Sequence, residues 1–160
     1  MNYSLHFLEN EGLYDSVKAL LSKHIPIPFE ILRTENGKPY IEGNPLCFSI
    51  SHSRNKAVVA ISESPVGVDF ETFTGKPREA VLKKFTEREQ SEIDCEREFL
   101  RHWTAREAYI KLKGLTLAKT YKRLEFYGGN LYLNGVYVGV NLDFYEKEGG
   151  IIAVCTELIK

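Results

Sequence analysis

The sequence predicts an α+β fold, a pseudo-two-fold pair of small α/β lobes built from antiparallel strands with a helix in each half. Three observations predict it. Short runs of period-two apolar alternation occur in both halves, and each half also holds one stretch with helical spacing. Asn-Gly pairs at 36–37 and 134–135 each lie between β-prone runs, as tight antiparallel connections require.

Taken in order, Tyr3, Leu5 and Phe7 alternate as in a half-buried strand. Leu13, Val17, Leu20 and Leu21 then repeat at helical spacing up to Pro26 and Pro28. "FEILRTENGKPYI" turns at Asn36-Gly37, and "LCFSISHS", "AVVAIS" and "VGVDFE" read as three further strands. After Phe73 the pattern becomes helical. Pro77 suits a first helical turn, and Thr86 with Glu89 has the spacing of a capping box. Phe99, Leu100, Trp103 and Ile110 mark one apolar face of a helix over 98–113, which Gly114 stops. Beyond it lie strands only: "RLEFY", "NLYLNGVYVGV", "LDFYE" and "GIIAVCTE". The division expected is an N-terminal lobe over 1–72 and a C-terminal lobe over 73–160, together one compact unit.

Composition narrows the function. A chain of 160 residues with 43% apolar content supports one core and excludes a large multidomain enzyme. The formal net charge of −1 leaves no broad cationic surface for a long nucleic acid, although a small phosphate-bearing ligand fits. The N-terminal "MNYSLHFLEN" lacks a basic segment followed by an apolar core, and no apolar run approaches the ~20 residues that cross a bilayer. A cytoplasmic protein is expected. Cys47, Cys95 and Cys155 are odd in number and widely spaced, which reads as three reduced thiols.

Three acids stand out. Asp69 and Glu71 end a strand and lie two apart, so both carboxylates emerge on one face, with Cα atoms roughly 6.5 Å apart, while Phe70 faces the other way. Glu107 shares a helical stripe with Phe99, Trp103 and Lys111 and interrupts its apolar side. On spacing alone these acids also suit solvated strand ends and a Glu107 ion pair with Lys111 or Arg106. Brought together, three carboxylates repel unless a hard cation joins them, and Mg²⁺ with carboxylate, water and phosphate ligands answers that need. Ser51, His52 and Ser53 close a β-like run and could hold a phosphate, with Lys38 adding positive charge.

In order along the chain, "NGKP" at 36–39, "FSISHS" at 48–53, "GVDFE" at 67–71, and "FTEREQ" at 85–90 followed by "WTAREAYIK" at 103–111 resemble the 4'-phosphopantetheinyl transferase superfamily. The elements before Gly67 make the chain similar to its Sfp type, whose two α/β lobes lie in one monomeric chain around the active site. The resemblance implies transfer of the 4'-phosphopantetheine arm of coenzyme A to a serine of an acyl or peptidyl carrier protein, releasing adenosine 3',5'-bisphosphate. It implies Asp69, Glu71 and Glu107 as ligands of Mg²⁺, Glu107 also as the base, Lys111 at the leaving phosphate, and Lys38, Ser51 and His52 as contacts of coenzyme A. Two features depart from the family: Arg106 stands where Lys is commoner, and only Lys18, Lys23 and Arg33 are basic before Lys38. A Mg²⁺-dependent phosphohydrolase or nucleotidyl transferase, and a non-catalytic module binding carrier or coenzyme, are the rival readings of the same acids.

Overall fold

Period-two alternation fixes which face of a strand is apolar, and in a computed structural model, which describes residues 3–75 and 79–158, such faces meet between two of three three-stranded antiparallel sheets. Strand β1 (Tyr3–Glu9) leads through helix α1 (Leu13–Ser22) and a small hairpin, β2 (Leu32–Arg33) and β3 (Pro39–Tyr40), to strands β4 (Cys47–Ser53) and β5 (Lys56–Ser62). Strand β6 (Val66–Thr72) begins the second half. Short helices α2 (Glu79–Leu82) and α3 (Glu87–Gln90) precede the long α4 (Glu96–Lys113) and the single-turn α5 (Leu117–Thr120). A 3-10 turn at Tyr121–Arg123 then leads to β7 (Leu124–Tyr127), β8 (Asn130–Leu133) and β9 (Val136–Tyr137), and the hairpin β10 (Val140–Lys147) and β11 (Gly150–Glu157) ends the fold.

The two sheets share one connectivity. In the first, the order is β1-β5-β4, and in the second it is β6-β11-β10, so each half runs strand, helix, small β insert, hairpin, with the last strand central. Strand β6 pairs with β11, Asp69 opposite Ala153 and Glu71 opposite Ile151. The Asn134-Gly135 turn has both residues at positive φ, the backbone that a tight two-residue hairpin needs. Pro77 lies outside the described residues. Among those that are described, the three cysteines are free thiols and no helix is long and apolar enough to cross a membrane.

Alternation also sorts the core. Val58 and Ala60 of β5, Val68 and Phe70 of β6, and Ile152 and Val154 of β11 pack together between the sheets. The other faces carry the helices. Val59 and Ile61 pack against Val17, Leu20 and Leu21 of α1, while Ala153 and Cys155 pack against Ala105, Ala108 and Leu112 of α4. Phe70 therefore points into the core and its neighbours Asp69 and Glu71 point toward α4, as the strand pattern predicts.

Small residues let α4 lie close to the sheet. A Cβ placed on Gly67 would stand 2.0 Å from the carbonyl oxygen of Ala108 and 2.4 Å from the amide nitrogen of Leu112, so helix backbone rests directly on strand backbone. No flexible side chain is available to yield there. Gly67→Ala must push α4 away from β6, and overpacking of this kind costs about 1–3 kcal/mol or more. We expect a melting temperature roughly 2–12 °C below that of the parent in a thermal melt, using about 2–4 °C per kcal/mol for a domain of this size.

Candidate functional site

The edges of the two sheets meet where β4 runs beside β6. There the contact is made by side chains: Ser49, Ser51 and Ser53, alternate residues on one face of β4, accept hydrogen bonds from the β6 amides of Val68, Phe70 and Thr72 at 3.0, 3.1 and 3.1 Å. The ladder satisfies backbone donors that would otherwise be buried without partners. Ser51 also donates to Asp69 Oδ1 at 2.9 Å, and Ser53 donates toward Glu71 Oε2 at 3.4 Å.

Asp69 is buried and Lys111, from α4, reaches its Oδ1 at 2.8 Å. Its second oxygen, Oδ2, is buried and has no hydrogen-bond partner. Glu107 lies one turn before Lys111, and among the described residues no hydrogen bond or ion pair reaches it. Burial first, and then the neighbouring Asp69 carboxylate, push the Glu107 carboxyl up to about 7, with Glu71 adding to the shift and Lys111 opposing it. Neither ion pair open to Glu107 on spacing alone forms: Lys111 goes to Asp69, and Arg106 goes to Glu89.

An open cavity of about 540 Å³ lies against this cluster. Lys38, His52, Glu107 and Lys111 line its polar side, while Leu13 and Val17 of α1, with Leu115 and Leu117, give it an apolar side. The structure thus brings Glu107, Lys111, Lys38 and His52 around one opening, while Asp69, held by Lys111, and Glu71 are not among its lining residues. Ser51 is placed differently from the other residues expected to touch a ligand. It is buried behind Asp69, its hydroxyl engaged by Asp69 and the Phe70 amide, and it does not line the cavity.

A divalent cation fits the chemistry of these donors. Asp69 Oδ2 is an anionic oxygen, buried and unbonded, and Glu107 is held toward its neutral form by burial and like charge. Among the described residues the acids are not drawn into a ligating cluster of three.

Several residues that organise the site are not functional by motif reading. In "FTEREQ", Thr86 caps α3 and Glu89 completes the capping box. Glu89 is fully buried and reaches further, accepting from the Phe126 amide at 2.8 Å and pairing with Arg106. Arg106 lies 4.3 Å from the ring centroid of Phe85 and 4.8 Å from that of Tyr121. The planar guanidinium suits a slot between two rings better than an ammonium does, which gives the Arg its physical sense. Seventeen positions separate Glu89 from Arg106, so only the capping-box spacing hinted at this node.

Residues 65–135 match the model of the 4'-phosphopantetheinyl transferase superfamily, a stretch running from β6 into the β8–β9 turn and holding Asp69, Glu71, Glu107 and Lys111. Over this stretch the chain is similar to members of that superfamily. It is 30% identical over 134 residues to the L-aminoadipate-semialdehyde dehydrogenase-phosphopantetheinyl transferase of Mus musculus, a match covering 69% of this chain and 43% of the mouse protein. The 4'-phosphopantetheinyl transferase of Bacillus subtilis is 34% identical over 92 residues, covering 52% of this chain and 41% of the relative. The 4'-phosphopantetheinyl transferase gsp of Aneurinibacillus migulanus is 31% identical over 107 residues, with shares of 61% and 45%. Each match thus spans less than half of the relative's own length.

The raised Glu107 carboxyl makes the protein's stability depend on pH. An acid held above its ordinary 4.5 in the folded state binds its proton more tightly than the unfolded chain does. Its contribution is neutral below about 4.5, and stability then falls as pH rises toward 7. Glu107→Gln should flatten that fall and, without divalent metal at pH 8, stabilise the protein by up to about 3 kcal/mol. Thermal melts of both proteins at pH 4.5, 6 and 8 with chelator present check the sign and the window.

Proposed function

We propose that this chain transfers the 4'-phosphopantetheine arm of coenzyme A to a serine of an acyl or peptidyl carrier protein, releasing adenosine 3',5'-bisphosphate. One observation carries the reading: a buried carboxylate with a bare oxygen, a second carboxyl poised near neutrality and an ammonium one turn onward all meet beside a cavity large enough for a small cofactor-sized ligand. Similarity to the superfamily supplies the class of reaction, and the names of the relatives supply the transferred group.

In this reading Asp69, Glu71 and Glu107 hold Mg²⁺, which when bound neutralises charge on the coenzyme's pyrophosphate. The carrier serine oxygen bonds to the β-phosphorus, and the bond from that phosphorus to the bridging oxygen breaks. Glu107 accepts the serine proton, directly or through water. Lys111 stabilises or protonates the departing phosphate oxygen. Ser51 acts behind the site: it fixes one oxygen of Asp69, and the other is left without a hydrogen-bond partner. His52, exposed on the cavity wall, is the proposed contact of the 3'-phosphate.

The shared connectivity of the two sheets supports two pseudo-equivalent lobes. Because β6 pairs with β11, we place the lobe boundary just before β6 rather than after it. Such a chain completes its own site and should sediment as a monomer; a stable trimer would overturn the arrangement.

Transfer is tested by mixing the protein with coenzyme A, Mg²⁺ and apo carrier proteins and weighing the carriers by mass spectrometry. A mass gain of one phosphopantetheine group is expected. Unmodified carriers with intact coenzyme would instead identify a binding module, and cleaved coenzyme with unmodified carriers a phosphohydrolase. Asp69→Ala and Glu107→Gln should each cut transfer by at least about 10²-fold while the fold survives. His52→Ala should raise KM for coenzyme A roughly ten-fold or more, change kcat little, and lose the preference over the 3'-dephospho form.

A further inference from the structure

The segment "NGKP" lies at the C-terminal end of α4, where helix carbonyls need partners. The last turn of a helix leaves its final carbonyls without intrahelical donors, and here each of four has an identified one. The amide of Leu115 reaches Ile110 O at 2.9 Å, and the amide of Gly114 reaches Lys111 O at 3.3 Å. Lys38 Nζ donates to Leu112 O at 2.7 Å, and Asn36 Nδ2 donates to Gly114 O at 2.8 Å. Two of the four caps therefore come from the other half of the chain.

The loop that delivers them is itself fixed. Its backbone closes through Thr34 N to Lys38 O at 2.9 Å and Gly37 N to Thr34 O at 2.8 Å, with Gly37 at a positive φ of 83°. Thr34 Oγ1 accepts from the Lys38 amide at 3.1 Å, and Arg33 Nη1 donates to Gly37 O at 3.0 Å. Lys38 packs along the helix end, its Cδ 3.5 Å from where a Cβ on Gly114 would stand. A cation at a helix C-terminus also meets the negative end of the helix dipole.

We propose that Asn36 and Lys38 form a clamp that fixes the last turn of α4 to the first half of the chain, and so positions Glu107 and Lys111 against Asp69. Lys38 is then a positioning residue, not a ligand of the coenzyme's phosphates. Burial at the helix end lowers the pKa of its ammonium, whose hydrogen bond goes to the Leu112 carbonyl. Lys111 immediately precedes Leu112, whose carbonyl is clamped, and Glu107 lies one turn earlier. Any play in the last turn is felt directly at the Asp69 contact.

The catalytic part of this inference rests on the proposed transfer reaction, whereas the clamp does not. The test compares the parent with Lys38→Met, Asn36→Ala, the double variant and Lys38→Arg. Three readouts are taken: thermal melts, amide exchange at Gly114 and Leu115, and steady-state transfer with coenzyme A and with its 3'-dephospho form. Each single loss should lower the melting temperature by about 3–6 °C and quicken exchange at both amides. It should also reduce kcat roughly ten-fold for both coenzymes, leaving the ratio of their kcat/KM values unchanged.

The double variant should lose less than the sum of the two, as parts of one clamp do, and Lys38→Arg should recover most of kcat. A collapse of the coenzyme ratio in Lys38→Met with melting and exchange unchanged would make Lys38 a phosphate ligand and overturn the proposal. Faster exchange with an unaltered kcat would reduce the clamp to a structural cap and overturn the positioning role. A parent that transfers to no carrier would defeat the transfer reading, and melting and exchange would still decide the clamp.

Discussion

The site depends on how closely α4 lies on β6. Contact of helix backbone with strand backbone at Gly67 removes the side-chain layer that normally separates a helix from a sheet, and Ala105, Ala108 and Leu112 pack against β11 along the same face. Only at that separation does Lys111 reach Asp69 at 2.8 Å. The glycine of "GVDFE" is thus as much a part of the site as the acids that follow it. It holds no chemistry, yet it sets the distance over which chemistry is possible.

A second joint works through hydroxyls. Two sheet edges brought side by side could have hydrogen-bonded to each other through their backbones, giving one continuous sheet. Serines from β4 instead meet three amides of β6, which holds the sheets together at their edges and leaves each with its own outer face for a helix. A hydroxyl is both donor and acceptor. Ser51 uses both capacities, accepting from Phe70 and donating to Asp69, so the element that joins the halves also aims a carboxylate.

Much of this was legible in the residues, and the failures share a cause. Alternation along 3–9, 47–53, 66–72 and 150–157 gave strands with the right faces, and Gly114 ended α4 in the left-handed conformation that its position demands. The same alternation put Ser49, Ser51 and Ser53 on one face of β4. It could not say that this face meets β6, because which strands meet is a tertiary outcome. Lys38 shows a related limit: a lysine beside a turn looks like a cation for a phosphate, and its hydrogen-bond partner at the end of α4 lies 74 positions away. Glu89 and Arg106 lie too far apart in sequence for any local pattern to join them.

Arg106 and Glu107 show how the chain spends its polar contacts. Consecutive on α4, they point about 100° apart, as neighbours on a helix must. Arg106 turns inward and receives a carboxylate and two aromatic rings, so a buried charge there is matched. Glu107 turns to the cavity and is left unmatched beside another acid, and its carboxyl rises to about 7 as a result. A protein optimised for stability alone would pair or remove that acid, since an apolar residue of similar size would cost less there. Keeping it unpaired, one residue from an arginine whose charge meets Glu89 and two rings, leaves a position where an outside cation or a proton can relieve the strain. A matched charge beside an unmatched one is the contrast that a ligand site asks of a scaffold.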